Sequence, residues 1–256
     1  MGVAVLMYHH ILPESGFIAS SVSEFLAQMK FLADNGYKTL TSSEFLAYKK
    51  GEFAPPKKSV FITFDDGWRD NFYYAYPILK QFNLNATIFL VTQWIEKSSE
   101  QNALKKAEFT PLHHAQAKQQ APQNPASLFL NWDEVAKMSE LCNFHSHTHG
   151  HTDGYFGDLP FEADLELCKN TIKNRLDFDD THLCWPRGKF DDEKLKIAKN
   201  LGYEIFYTTE RGANLADKNL DYIKRIAVKN GAFWLKKSLF IYQNEFISKI
   251  YAKLKG

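Results

Sequence analysis

The sequence predicts an α/β fold of parallel strands joined by helical crossovers, a sheet or a barrel. Two observations carry this prediction. Short β-branched and aromatic runs recur along the chain, and the apolar residues between them repeat at a helical period. A third observation is bulk: the chain has 256 residues, 45% hydrophobic and 24% charged, with only 13 Gly and 9 Pro. That balance excludes a disordered chain, a collagen-like repeat and a disulfide scaffold. A chain of this length can bury roughly 70–75% of the surface its unfolded form exposes. The formal net charge is +1, so no global field draws the molecule to nucleic acid or to an anionic membrane.

Taken in order, Val3–Tyr8 reads as the first strand. No basic segment precedes it and its apolar run ends after about seven residues, too short for a secretory leader or a membrane span. The expectation is a cytoplasmic protein. Ser21-Val22-Ser23-Glu24 is a capping box, followed by Phe25, Met29 and Leu32 on one helical face and a stop at Gly36. Ser59–Phe64 and Ala86–Val91 are the next strands. Residues 97–127 break the rhythm: they are rich in Gln, Lys and Ala, contain Pro111, Pro122 and Pro125, and read as an insertion or lid with His113 and His114 in solvent. Strands resume at Cys142–Ser146, Leu183–Pro186, Tyr203–Thr208 and Tyr222–Val228. A helix opening near Pro160 carries Phe161, Leu165, Cys168, Ile172 and Leu176 on one stripe, and another runs from Asp191 to Leu201 before Gly202. Residues 233–255 place Tyr242, Phe246, Ile250 and Leu254 on one face with lysines opposite. That amphipathic helix either closes the barrel or lies on a membrane surface. Cys142, Cys168 and Cys184 show no CxxC spacing and sit in apolar runs, so all three are expected reduced and buried. There is no internal repeat, and residues 1–256 read as a single domain.

Two clusters carry chemistry. Thr63-Phe64-Asp65-Asp66-Gly67 follows a strand directly. Adjacent side chains on a strand point to opposite faces, but at a strand end before Gly the backbone can turn and aim both carboxylates inward. Two such carboxylates resist joint ionisation unless a cation lies between them. The second cluster, His145-Ser146-His147-Thr148-His149-Gly150-His151, holds four of the nine histidines. Imidazoles at a strand end are typical ligands for zinc-like ions, and spacing allows either His145/His149 or His147/His151. One carboxylate and two imidazoles leave an open position on a divalent ion, the mark of a catalytic site, with a spare carboxylate for proton transfer.

These motifs resemble those of the NodB-homology polysaccharide deacetylases, carbohydrate esterase family 4. Thr63-Phe64-Asp65-Asp66-Gly67 is similar to the family's first motif, and the resemblance implies Asp65 as general base and Asp66 as metal ligand. His147-Thr148-His149-Gly150-His151, preceded by Ser146, is similar to the second motif and implies His147 and His151 as the other ligands. The earlier frame, His145/His149, also satisfies the pattern. The later frame is preferred because Phe144-His145 then takes the place of the usual hydrophobe and Gly. Cys184-Trp185-Pro186-Arg187-Gly188 resembles the third motif, which implies Trp185, Pro186 and Arg187 in the substrate groove. It departs from the pattern in carrying Cys184 where the family often has Arg, with Arg187 after the Pro instead. The Leu-x-His motif that usually supplies the general acid is absent. Leu6-Met7-Tyr8-His9-His10-Ile11 resembles the start of the branch acting on β-1,6-linked N-acetylglucosamine, which implies His9 as the acid, with His10 facing away.

The resemblance implies a distorted (β/α) barrel of the NodB-homology type that removes an N-acetyl group from an amino sugar, with a divalent ion, Zn²⁺, as cofactor. The implied partner is an N-acetylated carbohydrate or a glycolipid, such as a lipid-linked precursor or a lipopolysaccharide core. Peripheral membrane contact through the C-terminal helix would suit a substrate at the inner face. Trp68, Trp132 and Trp185 stand near motif ends, where an indole can stack on a sugar ring. Competing readings are a deformylase or other amide hydrolase on the same barrel, an amidohydrolase or histidinol-phosphatase-type barrel, and an inactive carbohydrate-binding homologue.

Overall fold

The computed structural model describes residues 2–255, with side chains as far as Tyr251. In chain order the elements are β1 (Ala4–Tyr8), β2 (His10–Leu12), β3 (Ala19–Ser21), α1 (Val22–Asp34), β4 (Lys38–Thr39), α2 (Ser42–Lys50), β5 (Ser59–Phe64), α3 (Tyr76–Phe82), β6 (Ala86–Leu90), α4 (Thr92–Leu104), α5 (His114–Gln120), α6 (Pro125–Leu128), α7 (Trp132–Met138), β7 (Cys142–Ser146), α8 (Phe161–Leu176), β8 (His182–Cys184), α9 (Asp192–Asn200), β9 (Ile205–Tyr207), β10 (Ile226–Ala227), α10 (Ala232–Tyr242) and α11 (Glu245–Lys255). The main sheet is wholly parallel in the order β10-β1-β5-β6-β7-β8-β9, with β4 beside β5. It curls until residues 220–227 bridge its two edges: Ile223 pairs with Tyr207 on β9, and Ile226 with Leu6 on β1. The fold is the distorted (β/α) barrel that the resemblance implies.

Alternation along the strands builds two cores. One face of the sheet (Leu6, Val60, Ile62, Phe64, Ile88) packs under Phe25, Met29 and Leu32 of α1, Leu79 of α3 and Ile95 of α4. The other face (Val5, Phe61, Phe89, Cys184, Tyr207) fills the barrel. Every residue of β5 is buried, as befits a central parallel strand, and each large apolar side chain so enclosed contributes about 1.5–3 kcal/mol. Phe45 of α2 stacks on Phe61 at 4.6 Å and helps close the end where the strands begin. The opposite rim, where they end, is left for chemistry. The Ser21–Glu24 capping box forms as predicted and starts α1.

Several boundaries differ from expectation. The third-motif strand is His182–Cys184 rather than Leu183–Pro186, because the chain turns at Pro186 into a single helical turn, Pro186–Gly188, and proline has no N–H for a ladder. Of Tyr222–Val228 only Ile226–Ala227 is strand, since this segment changes partner from β9 to β1 midway. Residues 97–127 are not structureless: the end of α4, α5 and α6 lie there. Arg69 anchors the segment by donating to the carbonyls of Ala107 and Ala126. The expected C-terminal helix is two helices broken at 243–244. Tyr242 is consequently buried while Phe246 and Ile250 are exposed, so they do not share one face; the Leu254 side chain lies outside the described residues.

Candidate active site

Several strand ends contribute to one cleft. Asp65 and Asp66 leave β5 through a sharp turn in which Asp66 (φ 77°) and Gly67 (φ 83°) both take left-handed backbone. A Cβ at Gly67 would come within 2.9 Å of Ile95 Cδ1, so both backbone angle and space call for glycine. That turn aims the two neighbouring carboxylates into the same cleft. His147 follows β7 and His151 follows one turn later, also at positive φ (58°). His147 Nε2 lies 3.3 Å and His151 Nε2 3.9 Å from Asp66 Oδ1. One donor atom from each of the three falls within 4.8 Å of the others.

The other atom of each group is already committed. His147 Nδ1 donates to the Cys184 carbonyl (2.7 Å) and His151 Nδ1 to Asp153 Oδ2 (2.7 Å). Both acceptors lack a proton to give, so in the neutral rings Nε2 presents a lone pair to the centre. Trp68 Nε1 donates to Asp66 Oδ2 (2.8 Å), leaving Oδ1 for the same centre. Three such atoms converging in a buried space suit a cation, and buttressing of each ligand's second atom is the usual form of such a site. The donor set therefore fits a divalent ion.

The alternative histidine pair points elsewhere. His145 Nδ1 donates to the fully buried Asp180 (2.7 Å), and its ring stacks on His182 with centroids 4.1 Å apart. Both line a separate cavity of about 440 Å³ with Ser42 and Asn143. His149 bonds Thr92 Oγ1 (2.9 Å).

Asp65 is held by Arg225 through two parallel bonds, Nη1 to Oδ1 (2.6 Å) and Nη2 to Oδ2 (2.8 Å). Burial disfavours the Asp65 charge, but Arg225, His9 and His147 outweigh it and hold its carboxyl below the usual range. His9 Nε2 stands 3.7 Å from Asp65 Oδ2, and burial lowers the pKa of its ring. His9, Asp65, Asp66, His147 and His151 line one cleft of about 380 Å³, with Phe17, Ile18, His114, Lys118, Asp153 and Arg187 at its walls. His10, as expected, turns away. It bonds Asp70 Oδ2 (2.7 Å) and packs on Trp68 (4.2 Å).

Comparison with known proteins shows the family. The sequence pattern of polysaccharide deacetylase matches residues 53–206. The chain belongs to the polysaccharide deacetylase family. It is 31% identical over 230 residues to the polysaccharide deacetylase homologue YxkH of Bacillus subtilis (strain 168), covering 89% of this chain and 71% of the relative. It is 30% identical over 220 residues to the poly-β-1,6-N-acetyl-D-glucosamine N-deacetylase of Staphylococcus epidermidis, covering 82% and 68%. Among solved structures, the Streptococcus pyogenes deacetylase PplD in complex with acetate superposes with a TM-score of 0.74 at 24% identity, over 95% of this chain and 99% of that one. IcaB from Ammonifex degensii superposes at 0.72 and 22%, over 95% and 97%; these two show the shared fold.

Within this deacetylase, several expectations need correction. Arg187 does line the cleft, where it donates to Asp153 Oδ1 (2.9 Å); the arginine beside Asp65 is Arg225. Trp68 and Trp185 are each 1% exposed. Trp68 orients Asp66, and Trp185 stacks in the core on Phe190 and Phe206, so neither offers a free ring face to a sugar. Pro186 is also buried, although with Trp185 it borders a small pocket beside His151. Trp132 is half-buried, donates to Glu96 and lies under Arg175. His114 is not in solvent: its Nδ1 is 3.2 Å from His10 Nε2, and burial lowers its pKa to about 4. Sequence reading missed Arg225. Its only signal was weak, an arginine between Lys224 and the apolar Ile226-Ala227-Val228, where a cation that becomes buried needs a buried anion.

Proposed function

We propose that this carbohydrate N-deacetylase hydrolyses the N-acetyl group of an amino sugar in a polysaccharide or glycolipid, with Zn²⁺ held by Asp66, His147 and His151. The observation that carries the reading is the convergence, at one rim, of three buttressed ligands, an arginine-paired carboxylate and a third, partly exposed histidine, His9. A divalent ion held there supplies positive charge that acidifies water and polarises an amide carbonyl. Asp65, fixed by Arg225, accepts the proton of the attacking water. His9, beside Asp65 and open to the cleft, takes up the proton that Asp65 removed from the water and gives it to the departing nitrogen. Arg225 keeps Asp65 ionised and correctly aimed, and Trp68 does the same for Asp66. Phe17 and Ile18 form an apolar wall for the sugar face, the part expected of the tryptophans.

The test is acetate release by zinc-loaded protein from β-1,6-linked N-acetylglucosamine oligomers and from N-acetylated glycolipids. Formate release from an N-formylated analogue, with none of acetate, would make it a deformylase instead. We further propose a cytoplasmic location with peripheral contact at the inner membrane face. Phe233, Phe240, Phe246 and Ile250 are exposed on α10 and α11, with Lys236, Lys237 and Lys249 among them in the sequence, which suits an anionic lipid surface. The three buried cysteines are unpaired, as in a reducing compartment. Sedimentation with anionic vesicles, absent with neutral ones and lost in Phe240→Ser/Phe246→Ser, tests the membrane contact.

A further inference from the structure

One wall of the cleft carries two cations that the hydrolysis above does not use. Lys118 Nζ (2.6 Å) and Arg187 Nη2 (2.9 Å) both donate to Asp153 Oδ1, while Asp153 Oδ2 is occupied by His151. Lys118 comes from α5 and Arg187 from the turn after β8, so two distant segments meet on one carboxylate. The two cations line the same cleft as Asp65, Asp66, His147 and His151, and their side chains are 35% and 53% exposed. An ammonium has three donors and a guanidinium five, so most of theirs remain available to a ligand.

The charge count around the cleft points the same way. Asp65 is neutralised by the fully buried Arg225. Asp66 is turned to His147 and His151. Asp153 alone faces both Lys118 and Arg187, which leaves a positive excess on that wall in addition to any excess from the ion. The backbone turn that carries Arg187 is also fixed. It sits at positive φ (57°) before Gly188 (φ 66°), and a Cβ on Gly188 would come within 2.4 Å of Thr209 Oγ1. The turn is thus packed against Thr209, itself part of the cleft wall.

We propose that Lys118 and Arg187 form a subsite for an oxyanion on the substrate, a phosphate or carboxylate carried near the acetamido group. On the deacetylase reading above, the chain then acts on acidic amino-sugar glycans in preference to neutral ones. The sugar lies between the apolar Phe17–Ile18 wall and this cationic wall, and the anion replaces part of what Asp153 gives the two cations.

The experiment compares three N-acetylglucosamine oligomers of equal length: neutral, carrying one phosphate, and carrying one carboxylate ether. Affinity is measured by calorimetry on zinc-loaded and on metal-stripped protein, the latter to remove the ion's own pull. Acetate release is measured separately. Wild type should bind one or both acidic oligomers about ten-fold tighter than the neutral one at low salt, a gap that narrows as salt rises. Lys118→Gln/Arg187→Gln should bring the ratio to about one, and Lys118→Arg should keep most of it. The arm that shows the preference identifies phosphate or carboxylate as the group read. Equal affinities in wild type, or a preference surviving in the metal-stripped double variant, would overturn the subsite. Failure of the deacetylase reading shows differently, as no acetate from any oligomer, and leaves the affinity ratio still decisive here.

Discussion

Asp65 is 2% exposed and both of its oxygens are bonded to Arg225, and that pairing decides what substitutions there do. Asp65→Asn keeps the shape but cannot accept a proton as a base. We expect zinc content to stay at the wild-type level while turnover falls by about 10²–10⁴; a near-wild-type rate would remove Asp65 from its role. Arg225→Met leaves a buried carboxylate unpaired and should cost about 3–5 kcal/mol of stability, read as a lowered midpoint in urea. The ligand assignment is tested by elemental analysis. Asp66→Ala, His147→Ala and His151→Ala should each lose most bound metal, since three ligands leave little redundancy. His145→Ala and His149→Ala should retain it, because their rings are engaged with Asp180 and Thr92. Retention in the first set with loss in the second would reverse the frame.

At the scale of the strand, alternation separates His9 from its neighbours. Tyr8 turns outward to Gln28 (2.7 Å) and His10 to Asp70, while His9 between them enters the cleft. His9→Ala should lower turnover of an amide by about 10²–10⁴ with metal retained. An activated ester, whose leaving group needs no proton, should be partly spared, and equal losses on both would deny His9 the acid role. His10 also deserves a different expectation from that of a bystander. Its ring joins Asp70, His114 and Trp68, and Trp68 in turn holds Asp66. His10→Ala should therefore lower thermal stability, by the about 1–3 kcal/mol that an unsatisfied buried acceptor costs.

For the molecule as a whole, several histidines are buried and held neutral. Burial lowers the pKa of His182 well below its ordinary value, assisted by His145 and Lys50, and lowers that of His149. The unfolded chain binds these protons near pH 6.5, whereas the folded chain binds them only at lower pH. The contribution of these two histidines to stability should be constant above about pH 7 and should fall as pH drops below about 6.5, by up to about 1.4 kcal/mol per pH unit for each. Urea midpoints of metal-stripped protein at pH 7.5 and 5.5 check this. His182→Gln, which can still bond Tyr207, should show the smaller drop; an equal drop would place the titration elsewhere.

Much of this was legible in the sequence because it is local. β5 and β7 are uninterrupted runs with motifs at their ends, the Ser21–Glu24 cap is a four-residue pattern, and Asp65-Asp66-Gly67 carries its own turn. Spacing alone could not choose between His145/His149 and His147/His151. The choice depends on where the backbone turns after Ser146 and on distant partners, Asp180, Thr92, the Cys184 carbonyl and Asp153. Nor could it place Arg225, which reaches Asp65 across 160 positions, or His114 and Lys118, which a Gln- and Lys-rich segment brings to the cleft. Tryptophans beside motifs looked like sugar platforms, yet burial of their large apolar surface outweighs exposure for Trp68 and Trp185. Sequence by itself determined the family, the strand ends and the candidate chemical groups, because short-range backbone and side-chain preferences set them. Which groups pair, which are buried and which face the substrate was decided only by tertiary structure, since hydrogen bonds and burial act between residues far apart in the chain.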